Sequence, residues 1–188
     1  WRMPADTWGV CTAVKSYNGE LVVFKEEAIS VVSGYSVRNY QMNTIKGIGA
    51  IAPCSVVVTP RGIIFLSYQG FTLYNGGIPT AFGEKLGKKY TDAVSGFDGR
   101  RYYASATDKT GGCEFIVYDT RTDMWHRESD FKATGVFSFR DGMYCCDNST
   151  VYKLHSDFNN VEWSITPAKL YGFELSGINE VWIRAEIA

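Results

Sequence analysis

One hairpin pattern, written four times, constrains this chain more than any other feature. Anchored on Gly19, Gly62, Gly99 and Gly142, the segments CTAVKSYNG, CSVVVTPRG, TDAVSGFDG and TGVFSFRDG align without a gap, at spacings of 43, 37 and 43 residues. A β-rich unit recurring about every 40 residues is the period of propeller blades, which bury their faces only against one another. Three of the four anchors are Asn-Gly or Asp-Gly, dipeptides that supply the positive φ of a tight turn; Arg61-Gly62, after Pro60, is the exception.

The rest of each unit reads as three further strands. Second strands follow at ELVVF, IIFLS, RRYYA and MYCCD, and third strands at 28–34, 70–76, 113–119 and 150–156. Fourth strands are expected at 40–45, 79–85, 124–129 and 162–166. Four antiparallel strands per unit, the last leading into the next first strand, is blade topology. Trp125 and Trp163 take equivalent places in the third and fourth units, where we expect them to pack between blades. Eight residues before the anchors stand the compact Cys11, Cys54, Thr91 and Thr134, expected to fit a crowded centre where blades converge.

A composition of 15% aromatic residues with 19 glycines among 188 suits strands and turns better than helices. The predicted fold class is therefore all-β: a β-propeller, or a propeller segment, of about four blades over residues 1–170, each a four-stranded antiparallel sheet. Residues 171–188, with Val181, Ile183, Ala185 and Ile187 in alternation, read as an exit strand returning to a neighbouring or missing domain. A start at Trp1 without an initiator Met, and an end on a strand-like run, lead us to expect part of a longer polypeptide. We expect a soluble chain with neither leader peptide nor membrane span.

A formal net charge of -1 gives no global attraction to nucleic acid or anionic lipid. The densest positive points are Lys85, Lys88, Lys89, Arg100 and Arg101; Tyr90, Tyr102 and Tyr103 are the aromatics that a nucleic-acid role would use for stacking. The five cysteines include adjacent Cys145 and Cys146, whose side chains would leave a strand on opposite faces, so a disulfide scaffold is not expected and a reducing compartment fits better. His126 and His155 lie beside turns, apart from each other, with no nucleophile or orienting acid in a shared pattern. DTRTD at 119–123 lacks the full ligand set of a calcium loop, and GGIPTAFGEKLGKK lacks the order of a phosphate-binding loop. The reading is of a chain with no catalytic, cofactor-binding or metal residues, hence no cofactor and no enzyme activity.

Residues 47–83, GIGAIAPCSVVVTPRGIIFLSYQGFTLYNGGIPTAFG, resemble the propeller portion of tailed-phage virion proteins, in particular the tail-tube or nozzle proteins of short-tailed phages. ELVVFKEEAISVVSG and EWSITPAK are similar to the preceding unit and to the exit in that family. The resemblance implies a non-enzymatic structural component of the virion tail, made in the host cytoplasm. Its partners would be adaptor or other tail subunits and copies of itself in a ring-forming homo-oligomer, with DNA at most passing through the lumen. Four units are fewer than a large propeller of that family would have. FIVYDTRTDMWHRES is similar to kelch repeats, though the paired glycines of those repeats are absent. The alternatives are thus a kelch- or lectin-type propeller recognising a peptide or glycan, and a hydrolase with carboxylates meeting in a central funnel.

Overall fold

The computed structural model describes residues 8–36, 38–140 and 142–155. The protein is all-β, built from four antiparallel sheets in which strand order follows chain order. The first sheet holds β1 (Cys11–Tyr17), β2 (Glu20–Lys25), β3 (Ala28–Ser33) and β4 (Gln41–Lys46), and the second holds β5 (Val57–Thr59), β6 (Gly62–Ser67), β7 (Gly70–Tyr74) and β8 (Thr80–Ala81). The third holds β9 (Tyr90–Phe97), β10 (Arg101–Asp108), β11 (Cys113–Asp119) and β12 (Met124–Ser129). In the fourth, β13 (Gly135–Phe139), β14 (Gly142–Cys146) and β15 (Val151–Lys153) are described. The fourth strand expected at 162–166, with Trp163, lies outside the described residues, as do the boundary near residue 170 and the exit strand.

Every expected second and third strand is present, each a short run rich in apolar or aromatic side chains between turn residues. The segment 79–85 is the departure: only Thr80–Ala81 pairs, and the chain then turns through a short 3-10 helix, Glu84–Leu86, closed by Gly87 at φ 64. The second sheet also starts late, since Pro53–Ser55 form another 3-10 turn before β5. Ser55 bridges that gap, its Oγ accepting the Leu66 N–H at 2.8 Å and donating to Ala52 O at 2.7 Å.

The core lies between sheets, in three apolar clusters. Val22, Phe24 and Ile29 of the first sheet meet Ile63, Phe65 and Tyr74 of the second. Ile64, Leu66 and Phe71 of the second meet Tyr102, Ala104, Ala106, Ile116 and Tyr118 of the third. Tyr103, Phe115 and Val117 of the third meet Val136, Met143 and Cys145 of the fourth. Neighbouring residues of β6 and β10 thus serve opposite interfaces, as a two-residue side-chain period requires of a sheet covered on both faces. First strands of successive sheets are in contact, β1 with β5, β5 with β9 and β9 with β13.

Three expectations need correction. Cys11, Cys54, Thr91 and Thr134 are all exposed, so no crowded centre accounts for their small size. The two threonines instead tie their strand starts to β10 and β14, Thr91 Oγ1 donating to Thr107 O at 3.3 Å and Thr134 Oγ1 to Cys146 O at 3.2 Å. The gap-free alignment is also out of phase in the first sheet. Val56, Ala93 and Val136 belong to clusters shared with the preceding sheet, whereas Ala13, their counterpart, packs towards the following one. The reversal arises at the turns: Gly19 lies inside its turn, between paired Tyr17 and Glu20, whereas Gly62 already pairs with Thr59, so glycine-anchored positions on β1 and β5 differ in phase by one residue. Finally, the fourth turn precedes its glycine. Gly142 already pairs with Phe139, and Arg140 holds the positive φ of 52.

The first hairpin follows the sequence rule, with Asn18 at φ 50 and Gly19 at φ 78 between paired Tyr17 and Glu20. Gly99 sits at φ 100, and a β-carbon there would meet nothing within 4 Å, so only backbone strain resists substitution. Gly99→Val should therefore cost about 2 kcal/mol in chemical denaturation, with spectra of the folded state unchanged. Phe65 is 0% exposed and its ring centroid lies 5.0 Å from that of Phe24. Phe65→Ala should lower the unfolding free energy by roughly 3–5 kcal/mol, read from the denaturant midpoint at constant slope.

Candidate functional site

The polar chemistry of this chain concentrates at hairpin ends and along the seams between sheets. The seam between the second and third sheets is anchored by Tyr102, which is fully buried, donates its one hydroxyl proton to Ser55 O at 3.1 Å and lies 2.8 Å from Ser95 Oγ, whose hydroxyl can donate back to it. Burial of that hydroxyl pushes its pKa upward, so it is a neutral donor under all ordinary conditions. Trp125, on β12, packs against Phe71, Phe82, Tyr102 and Tyr118 at centroid distances of 5.1–6.1 Å. Its indole N–H donates to Phe82 O at 3.1 Å, which ties the last strand of the third sheet to the exit of the second.

At one end of this seam Arg61 donates to Tyr118 and to Asp123, at 2.5 Å from the latter carboxylate. Burial chiefly raises the pKa of the Tyr118 hydroxyl to about 12, and that hydroxyl first, then the Arg61 guanidinium, hold Asp123 below the usual carboxylate range. At the other end Glu114 binds Lys88, the Tyr90 hydroxyl at 2.5 Å and Arg127 Nε at 3.0 Å. Burial opposes ionisation of Glu114, but these three donors outweigh it and hold its pKa below normal. Carboxylates held by two or three donors in this way serve as structural anchors.

Of the basic residues singled out in the sequence, Lys88 is therefore committed to Glu114, and Arg100 forks onto Asp119 Oδ2 through Nη2 at 2.7 Å and Nε at 3.1 Å. Tyr90, Tyr102 and Tyr103 are 4%, 0% and 1% exposed, which removes them as stacking platforms for bases. Cys145 faces the third sheet in the core while Cys146 lies on the opposite side of β14, as adjacent strand residues must.

The two histidines are closer partners than their sequence positions suggest. His126 Nε2 lies 3.3 Å and His155 Nε2 3.7 Å from the same Glu128 Oε1. Among the described residues no group of three or more His, Cys, Asp or Glu is arranged to hold a metal ion. Among them, too, no helix is long and apolar enough to cross a membrane.

A separate polar cavity of about 590 Å3 opens beside the turns of the β9–β10 and β13–β14 hairpins, lined among others by Asp98, Arg100, Arg101, Arg140 and Lys153. It brings three arginines and a lysine to one lining. Sequence reading flagged Arg100 and Arg101 alone, because Arg140 and Lys153 reach the same place only through the pairing of β14 with its two neighbours.

Asp119 joins the wall behind this cavity, with its pKa pulled down to about 2, first by the Arg100 guanidinium and then by the Arg121 backbone N–H. A carboxylate whose folded pKa is depressed stabilises the fold above its unfolded value near 4 and loses that contribution as the pH falls towards 2. Asp119→Asn should therefore cost about 1–2 kcal/mol at pH 7 and flatten the decline in stability between roughly pH 4 and pH 2, measured by denaturation at a series of pH values.

No protein-family model matches this chain, and no curated protein matches its sequence.

Proposed function

We propose that the four sheets are consecutive blades of a β-propeller, or of an open propeller segment, and that the chain is a non-enzymatic structural part of a phage tail assembly. One observation carries the blade reading: each middle sheet uses alternate residues of a single strand to bury a different neighbour. Contacts between first strands of successive sheets support the same order around a common axis. The tail role rests on the resemblance of residues 47–83, which fold as a 3-10 turn followed by β5, β6 and β7.

The mechanism is mechanical. Ladders satisfy the backbone amides, and inter-sheet clusters resist opening of any one sheet alone. Phe137 and Phe139, 42% and 54% exposed on the outward side of the fourth sheet, would pack on a neighbouring tail subunit. A binding propeller is the second reading, and the polar cavity between hairpin ends is what favours it.

Electron microscopy of the full-length protein tests the first reading. Rings or tubes are expected, and the double substitution Phe137→Ser, Phe139→Ser should reduce the assembled fraction by roughly tenfold while circular dichroism shows the strands retained. Monomers under all assembly conditions, with saturable peptide or glycan binding, would move the assignment to the second.

A further inference from the structure

Two Asn-Gly pairs occur in the chain, Asn18-Gly19 and Asn75-Gly76, and the fold holds them differently. Asn18 and Gly19, at φ 50 and 78, are the whole loop of a hairpin whose flanking residues Tyr17 and Glu20 are paired. Rotating the peptide between them deforms that turn, and the ladder behind it, which runs back along β1 to Cys11, resists.

Asn75 and Gly76 lie instead in the longer connection from β7, which ends at Tyr74, to β8, Thr80–Ala81. Residues 75–78 are all exposed, and the pair that closes the connection, Leu73 with Thr80, belongs to a strand of two residues. So short a ladder opens more readily than that of the first hairpin. Among the described residues no hydrogen bond reaches the Asn75 carboxamide or the Gly76 N–H. Gly76 stands at φ 102, and a β-carbon there would meet nothing within 4 Å. Gly77 follows, so two successive residues lack a side chain that would shield or stiffen the peptide. The Asn75 carboxamide reaches towards them, its Oδ1 3.9 Å from where a β-carbon on Gly77 would stand.

We infer that Asn75 is a modification site, at which the folded chain deamidates spontaneously through a cyclic imide, while Asn18 is protected by its hairpin. The Gly76 amide nitrogen gives up its proton to solvent base and attacks Asn75 Cγ. The new C–N bond forms as the bond to the carboxamide nitrogen breaks, and that nitrogen takes a proton and leaves as ammonia. Water then opens the imide at either carbonyl, leaving an ordinary aspartyl residue or an isoaspartyl linkage in which the main chain runs through Cγ. Nothing is oxidised or reduced; the net change is uptake of water and loss of ammonia. The rate follows how often the nucleophile and the carbonyl reach attack distance, which is the quantity that the two turns set differently.

Either product places a carboxylate at the end of the second sheet, and the isoaspartyl form lengthens the main chain by one carbon beside the short β8. The chemistry depends only on the β7–β8 connection and holds whatever the chain assembles with.

Incubation of the purified 188-residue chain at mildly alkaline pH in heavy-oxygen water, followed by brief trypsin digestion at mildly acidic pH and mass spectrometry, tests it. Cleavage at lysine and arginine separates the two pairs: peptide 62–85 holds Asn75 as its one asparagine, and peptide 16–25 holds Asn18. Oxygen-labelled deamidation, with its isoaspartyl isomer, is expected in 62–85 roughly tenfold faster than in 16–25, and at comparable rates in both once the chain is unfolded in urea. Asn75→Gln should abolish the change in 62–85; the residue is exposed, so folding is retained, which circular dichroism checks. The inference is overturned by a ratio of the two rates no larger in the folded chain than in urea, by no conversion at Asn75 over the time in which the unfolded chain converts, or by a change that persists in Asn75→Gln and so belongs to Gln69.

Discussion

The alternation along β6 and β10 is the constraint on which the other features depend. Ile63 and Phe65 belong to one interface and Ile64 and Leu66 to the next, while Tyr102 and Tyr103 divide the third sheet in the same way. A strand with both faces buried has no spare register, because a slip of one residue exchanges the two sets of side chains and mismatches both interfaces at once. The middle sheets are consequently the most apolar, with all six residues of β6 buried, whereas β12 at the edge of the third sheet is largely exposed. The outer strands have less to specify and carry the turns and charges.

Placing two sheets face to face leaves a polar problem wherever a strand falls short, and the second sheet shows how it is met. Because β5 begins only at Val57, the backbone around Ser55 lacks a partner strand, and its carbonyl and hydroxyl are satisfied by Tyr102 and by Leu66 N–H. Replacing ladder bonds by side chains from the next sheet turns a local shortage into an inter-sheet tie. The rim pairs add less. Arg61 and Asp123 have side chains 40% and 60% exposed, so solvent screens their attraction, and the ordered tyrosine between them matters more.

Legibility in the sequence followed the same division. Strands with buried alternation were visible directly: β2, β3, β6, β7, β10 and β11 all fall where apolar runs flank turn residues. What escaped was phase, since Gly19 sits within its turn while Gly62 and Gly142 sit one residue beyond theirs, a difference that the aligned residue types do not record. Small side chains misled for a related reason. Compactness at Cys11 or Thr134 reads equally as tight packing or as an exposed strand start, and only burial distinguishes them. Groups brought together across strands were the least legible: His126 and His155 share Glu128, and Arg140 and Lys153 share a cavity with Arg100, through pairings that hydrophobic pattern alone does not position.

The faces of the first and fourth sheets that point away from the inter-sheet clusters are unequal. On the outward side of the first sheet Val23 and Ser30 are buried, Ser30 Oγ lies 3.0 Å from Thr44 Oγ1, and Val14 and Leu21 are the exposed aliphatics. Hydroxyls that satisfy each other reduce what an apolar partner would gain there. The outward side of the fourth sheet is aromatic instead. Phe137 stacks on Tyr144 at 5.9 Å and 15°, Phe139 meets the same ring edge-on at 6.4 Å, and Arg140 caps Phe139. Stacking among neighbours on one face shields ring edges but leaves the outward π surfaces wet, so this face has most to gain from a flat apolar partner.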